Sequence, residues 1–230
     1  MSLEQLLERG AVWRASDTAT EPRVAGVSCG HAELDQMLHG QGWQSGSLVE
    51  VLYETEGCGE LRLLLPLLAM STDRWVLWID PPHIPYAPAL KAAGVALERL
   101  LIVRSNSRRD RLWCLEQALK SGCCSAVLGW LGEVPQAALR RLQLAAAEGG
   151  GLGFIFRSST CRHQGSAASY RLLLEPEQAP DTLAVSVLKR RGGWPLPRRV
   201  LSLRRKGCGR QTALLASSPG ASSAQVRAGG

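Results

Sequence analysis

The chain has 230 residues, 45% of them hydrophobic and 20% charged, with 27 Lys/Arg against 20 Asp/Glu for a formal charge of +7. That length suits one well-buried domain rather than two, and the composition is ordinary for a water-soluble globular protein. No run of about 18 apolar residues argues for a membrane span, and the opening MSLEQLLERGAVWRA lacks the layout of a secretory leader. No membrane partner is expected, and the expected location is the cytoplasm.

Residues 1–22 are polar and weakly patterned, and read as a partly flexible N-terminal segment. The folded part is expected over 23–206. A short helix is predicted around Ala32–Leu38, then a glycine-rich turn and a strand at Leu48–Tyr53. The leucine-dense ELRLLLPLLAM that follows suits a buried helix, with Pro66 inside it predicting a kink or an early break. RWVLWID suits a central strand buried on both faces. Pro82, Pro85 and Pro88 then set a turn and a helix start, and a strand is predicted near Leu100–Val103.

DRLWCLEQALKSG places Leu112, Leu115 and Leu119 at helical spacing and stops on Gly122. CSAVLGWL reads as a strand, VPQAALRRLQLAAAEGGG as a helix stopped by glycines, and GLGFIFR as another strand. This alternation predicts an α/β fold whose mostly parallel sheet is flanked by helices. Strands near 170–174, 183–189 and 199–204 form a C-terminal β extension, and 207–230 is low-complexity sequence expected to be disordered. Of the tryptophans, Trp75, Trp78, Trp113 and Trp130 are expected in the core. Trp43, in the glycine-rich turn, is the better candidate for a partner surface.

Seven cysteines with no CxxC pair support neither a disulfide framework nor a zinc site, and read as reduced, mostly buried thiols. The strand–loop–helix around residue 54 is where a phosphate-binding loop of the form GxxxxGK[ST] would sit. The window is Glu54-Thr55-Glu56-Gly57-Cys58-Gly59-Glu60-Leu61, so Glu60 stands at the lysine position and Leu61 at the hydroxyl position. Carboxylates in place of a lysine would repel a triphosphate. No ATP, metal or other cofactor is expected, nor any enzymatic activity.

The run WVLWIDPPHIPYAPALKAAGVALERLLIV, followed by LWCLEQALKSGCCSAVLGWL, resembles the core of RecA recombinases. Together with GELRLLLPLLA, LRRLQLAAAEGGGLGFIFR and LKRRGG, it resembles the ImuA family, RecA-like accessory proteins of bacterial mutagenesis related to SulA-type cell-division inhibitors. Compared with active RecA, Glu60, Pro82 and Trp130 or Gly129 stand where catalytic or magnesium-associated groups are needed, so the resemblance implies the fold and not the ATPase. It implies an accessory role in SOS-induced, error-prone translesion DNA synthesis. The partners it implies are an ImuB-like polymerase-family protein and an error-prone polymerase subunit, with DNA as a further one. The alternative reading is a SulA-type inhibitor that binds FtsZ.

Charge asymmetry separates the two readings at this stage. From Thr182 to Gly230 there are ten Lys/Arg and no acid, whereas residues 1–181 hold 17 basic and 20 acidic residues. The region matching RecA's DNA-proximal hairpin carries Lys189, Arg190, Arg191, Arg198, Arg199, Arg204 and Arg205, with Trp194 at its tip. These are the candidate nucleic-acid-binding residues, the guanidinium and ammonium groups for phosphates and the indole for a base. A solvated hairpin with Trp194 packed on its turn is the other reading.

Overall fold

The computed structural model describes residues 26–38, 42–71 and 73–204. A short strand β1 (Gly26–Val27) pairs antiparallel with β2 (Trp43–Gln44), with helix α1 (Ala32–Met37) between them. The alternating part follows: β3 (Leu48–Tyr53), α2 (Glu60–Met70), β4 (Trp75–Ile79), α3 (Ala87–Ala92) and β5 (Leu100–Val103). It continues through α4 (Arg108–Lys120), β6 (Cys124–Trp130), α5 (Gln136–Gly149) and β7 (Leu152–Ser158). A 3-10 turn at Ser159–His163 leads to β8 (Tyr170–Pro176), β9 (Thr182–Lys189) and β10 (Leu196–Ser202).

One sheet carries β10, β9, β8, β3, β7, β6, β4 and β5 in that spatial order. The pairings from β8 across to β5 are all parallel, and β9 and β10 add two antiparallel pairings at one edge. The fold is therefore mixed α/β, a mostly parallel sheet flanked by helices with a β extension. The expected N-terminal segment 1–22 and tail 207–230 lie outside the described residues.

Strand β3 explains why the sheet is covered on both faces. It reads LVEVLY and is buried at every position, as a strand between two helical layers must be. Alternate side chains leave on opposite faces. Val49, Val51 and Tyr53 enter a cluster with Leu34 and Met37 of α1, Leu63, Leu64, Leu67 and Leu68 of α2, and Leu90 of α3. Leu48 enters a second cluster, with Leu115 and Leu119 of α4 and Leu139 and Leu142 of α5. Each fully buried leucine contributes about 1.5–3 kcal/mol of transfer free energy.

The same face of β3 carries Glu50, which is wholly buried. Its carboxylate is paired with Arg157 of β7 and, at 2.5 Å, with Nε of Arg171 of β8. Arg157 also donates to the carbonyl of Gly132 at 3.2 Å and to Gln164 Oε1 at 3.0 Å, and Arg171 to the carbonyls of Cys161 and Arg162 at 3.0 and 3.3 Å. The network stitches three neighbouring strands to the turn that follows β7.

Several local expectations are corrected. Helix α2 runs through Pro66 to Met70 rather than breaking. Pro66 packs on Gly30, whose backbone is left-handed (φ 80°) and where a Cβ would fall 2.2 Å from the proline's own. Trp43 lies in β2 and is fully buried, edge-on to Phe154 and Tyr170 with ring centroids 5.7 and 5.3 Å away, so it offers no partner surface. Trp113 is 60% exposed, because α4 buries Leu115 and Leu119 and turns the tryptophan to the opposite side.

Candidate partner-binding surface

The loops after β3, β4 and β5 gather at the carboxyl ends of the parallel strands, where open α/β sheets place their sites. The first of them reaches α2 through Gly57 and Gly59, both left-handed, with φ 79° and 112°. Glu60, the first residue of α2, turns its carboxylate back into this loop. Oε1 accepts the amide of Gly57 at 3.0 Å and Oε2 that of Gly59 at 3.1 Å. The side chain is buried. A helix N-terminus favours a negative group, and here the protein supplies its own. The Gly57 and Gly59 amides are thus satisfied within the chain itself. Burial, with the Glu60 carboxylate next, pushes the neighbouring Cys58 thiol up to about 12, which favours the protonated thiol over the thiolate.

Asp80 organises the next two loops. It follows β4 with a left-handed backbone (φ 52°), a conformation that costs a non-glycine residue roughly 1–3 kcal/mol unless its surroundings hold it. Its amide donates to the carbonyl of Val103 at 2.9 Å, one step beyond the β4–β5 ladder. Its carboxylate accepts the amide of Ser105 at 2.8 Å, the Ser105 hydroxyl, and Nε of Arg111 at 2.5 Å. Burial alone would raise the Asp80 carboxyl, but the Ser105 and Arg111 bonds outweigh it and hold the group below its usual range. Arg104 meanwhile donates to the carbonyl of Pro81, and Arg111 reaches that of Trp130 at 3.4 Å.

The loop so anchored, Pro81–Tyr86, leads into α3 with Pro88 in the helix's first turn. Ile84 is 88% exposed and Tyr86 71% exposed. His83 lies 3.4 Å from Glu56, bringing this loop beside the first. Trp130 stacks on Phe156, centroids 4.7 Å apart, with Trp78 tilted against Trp130 and Tyr53 against Phe156. Among the described residues no group of His, Cys, Asp and Glu is placed to hold a metal ion. None of their helices is long and apolar enough to cross a membrane.

Of the candidate nucleic-acid residues, Lys189, Arg190, Arg191, Trp194, Arg198 and Arg199 lie on β9, its turn and β10, with Arg204 just after β10, and several of them are bonded within the fold. Arg190 donates to the carbonyls of Trp194 and Met37, each at 2.8 Å, latching the turn to α1. Lys189 donates to the Ser166 carbonyl at 3.1 Å. Arg198 pairs with Glu177 and, at 3.6 Å, with Glu175; Arg204 lies 3.8 Å from Asp181. Arg191 and Arg199 are exposed, and Trp194 projects from the turn 85% exposed rather than packing on it. Arg205 lies outside the described residues. The acids facing Arg198 and Arg204, Glu175, Glu177 and Asp181, stand before Thr182 in the chain and are brought there by the β8–β9 reversal.

Comparison with known proteins bears on the same stretch as the loops above. The family model described as "Cell division inhibitor SulA" matches residues 46–153. Proteins named cell division inhibitor SulA from Edwardsiella piscicida and Yersinia enterocolitica are 35% identical over 116 residues and 31% identical over 132 residues. Those alignments cover 50% and 56% of this chain and 69% and 79% of the relatives. The chain belongs to the SulA family. A further SulA, from Photorhabdus laumondii, is 37% identical over 112 residues, 48% of this chain and 63% of the relative. The role in translesion synthesis implied by the ImuA resemblance is overturned by these SulA matches, and so are the polymerase-type partners. The resemblance lay in elements of the shared α/β core, which do not separate the two groups. Of the basic residues set against that reading, Arg198 and Arg204 face carboxylates within the fold, while Arg191 and Arg199 remain exposed.

Proposed function

We propose that this chain is a SulA-type cell-division inhibitor that acts by binding FtsZ and blocking its polymerisation, within the SOS response and without a catalytic step. The match of residues 46–153 to the SulA family model, together with the identity to proteins named as SulA, carries this reading. The non-catalytic part is supported by the Glu60 carboxylate, which sits on the loop amides a nucleotide phosphate would need. The finer fold assignment, a RecA-like core with a β extension, is supported by the glycine-bearing loop between β3 and α2 at the carboxyl end of an interior parallel strand.

Sedimentation of purified FtsZ with GTP, with and without the full chain, tests the proposal. Near-stoichiometric chain is expected to keep FtsZ in the supernatant and to suppress its GTP hydrolysis. Unchanged pelleting together with no detectable complex would overturn it.

A further inference from the structure

The SulA family model matches residues 46–153, which include the loops after β3, β4 and β5, so a surface for a partner common to the family is sought first in that stretch. Within that stretch the large apolar side chains left open to water are Met70, Ile84, Tyr86, Leu101, Ile102, Trp113 and Leu144. Two stand apart. Ile84 and Tyr86 are the most exposed of them, at 88% and 71%, and they flank Pro85 on a single short loop. Trp194 is as open, but it lies outside the shared stretch.

The loop is stiff where it leaves the sheet. Pro81, Pro82 and Pro85 restrict its backbone in the unbound state. Its first residues are tied on both sides: the Asp80 carboxylate by Ser105 and Arg111, and the Pro81 carbonyl by Arg104. Asp80 keeps a backbone conformation that only such a surrounding sustains, and that conformation sends the chain outward from β4. A pre-set loop loses little conformational entropy when its apolar tip is covered by a partner.

Resting on the FtsZ reading, we infer that the Pro81–Tyr86 loop is the docking element for FtsZ, with Ile84 and Tyr86 as contact side chains and Asp80 as the positioning residue that pre-sets them. Ile84 and Tyr86 enter an apolar surface of the partner, and Asp80 touches only its own chain.

The full chain and its variants are tested for FtsZ affinity, association rate and thermal unfolding. Ile84→Ser with Tyr86→Ser is expected to raise Kd by roughly tenfold or more at unchanged Tm, since both side chains are exposed. Asp80→Gly accepts the backbone conformation but releases the clasp. It is expected to slow association several-fold and to speed amide exchange at Ile84 and Tyr86. Asp80→Asn, which keeps the shape and part of the bonding, is expected to fall between the wild type and Asp80→Gly. Trp194→Ser is expected to bind as the wild type does.

Failure of the wild type to bind FtsZ overturns the functional reading itself. A wild type that binds, with affinity untouched by the Ile84/Tyr86 pair or equally weakened by Trp194→Ser, overturns the docking loop. Loss of binding in that pair with full binding by Asp80→Gly overturns the positioning role alone.

Discussion

Glu60 accepts the backbone amide of Gly57 at 3.0 Å, so the first side chain of α2 closes the loop that leads into it. The same carboxylate takes the Gly59 amide. Glu60→Ala is expected to cost roughly 1–3 kcal/mol, because two loop amides lose a charged acceptor; urea unfolding measures it. Glu60→Lys is expected to gain no affinity for MgATP, since Leu61 offers no hydroxyl and Glu54 and Glu56 remain. Calorimetric titration with MgATP checks this, and saturable binding by that variant would show that the loop needed only a lysine.

Glu50 anchors two guanidinium groups inside the sheet. Glu50→Ala leaves both without their counter-charge and is expected to cost about 3–5 kcal/mol, the range for breaking a buried ion pair by removing one partner. Replacing all three members by apolar residues of similar volume is expected to cost much less. Equilibrium unfolding of the single and triple variants decides it, and equal losses would show that shape rather than charge is what the network provides.

Burial lowers the His31 imidazole below its ordinary value of 6.5, although Nε2 meets the Leu63 carbonyl at 3.2 Å. The unfolded chain therefore binds a proton at a pH where the folded protein does not. Stability is fully present above about pH 6.5 and is lost progressively as pH falls from there toward the folded value. Denaturant midpoints at pH 7.5 and 5.5 are expected to differ more for the wild type than for His31→Gln. Parallel curves would assign the pH dependence to other groups.

Arg190 and Arg191 are neighbours with different work. The first is bonded to the Trp194 and Met37 carbonyls, while the second projects exposed from the turn. Arg190→Ala is expected to cost roughly 1–3 kcal/mol, and Arg191→Ala to stay within about 0.5 kcal/mol. A pair of thermal melts separates them; equal shifts would mean that the latch to α1 contributes nothing.

Local pattern was enough to read the alternating elements. The apolar runs at Leu48–Tyr53, Trp75–Ile79 and Leu152–Ser158 are strands, and the leucine spacing of 108–120 and 136–149 gives α4 and α5. Hydrophobic periodicity and glycine stops are local properties, and the chain carries them openly. The absence of a lysine and hydroxyl after Gly59 was equally plain. Side-chain partners across the fold were not. Nothing in the order of residues says that Glu60 points back at Gly57, that Trp43 turns inward, or that Trp113 turns out. The surroundings of the charges were hidden for the same reason: the β8–β9 reversal sets Glu175 and Glu177 beside Arg198 and Asp181 near Arg204, while Arg191 and Arg199 stay exposed. Fold class follows from periodicity, which each segment holds by itself. Which charges remain free, and which loop stands out as a surface, depends on contacts between residues far apart in the chain, and only the tertiary structure decided those.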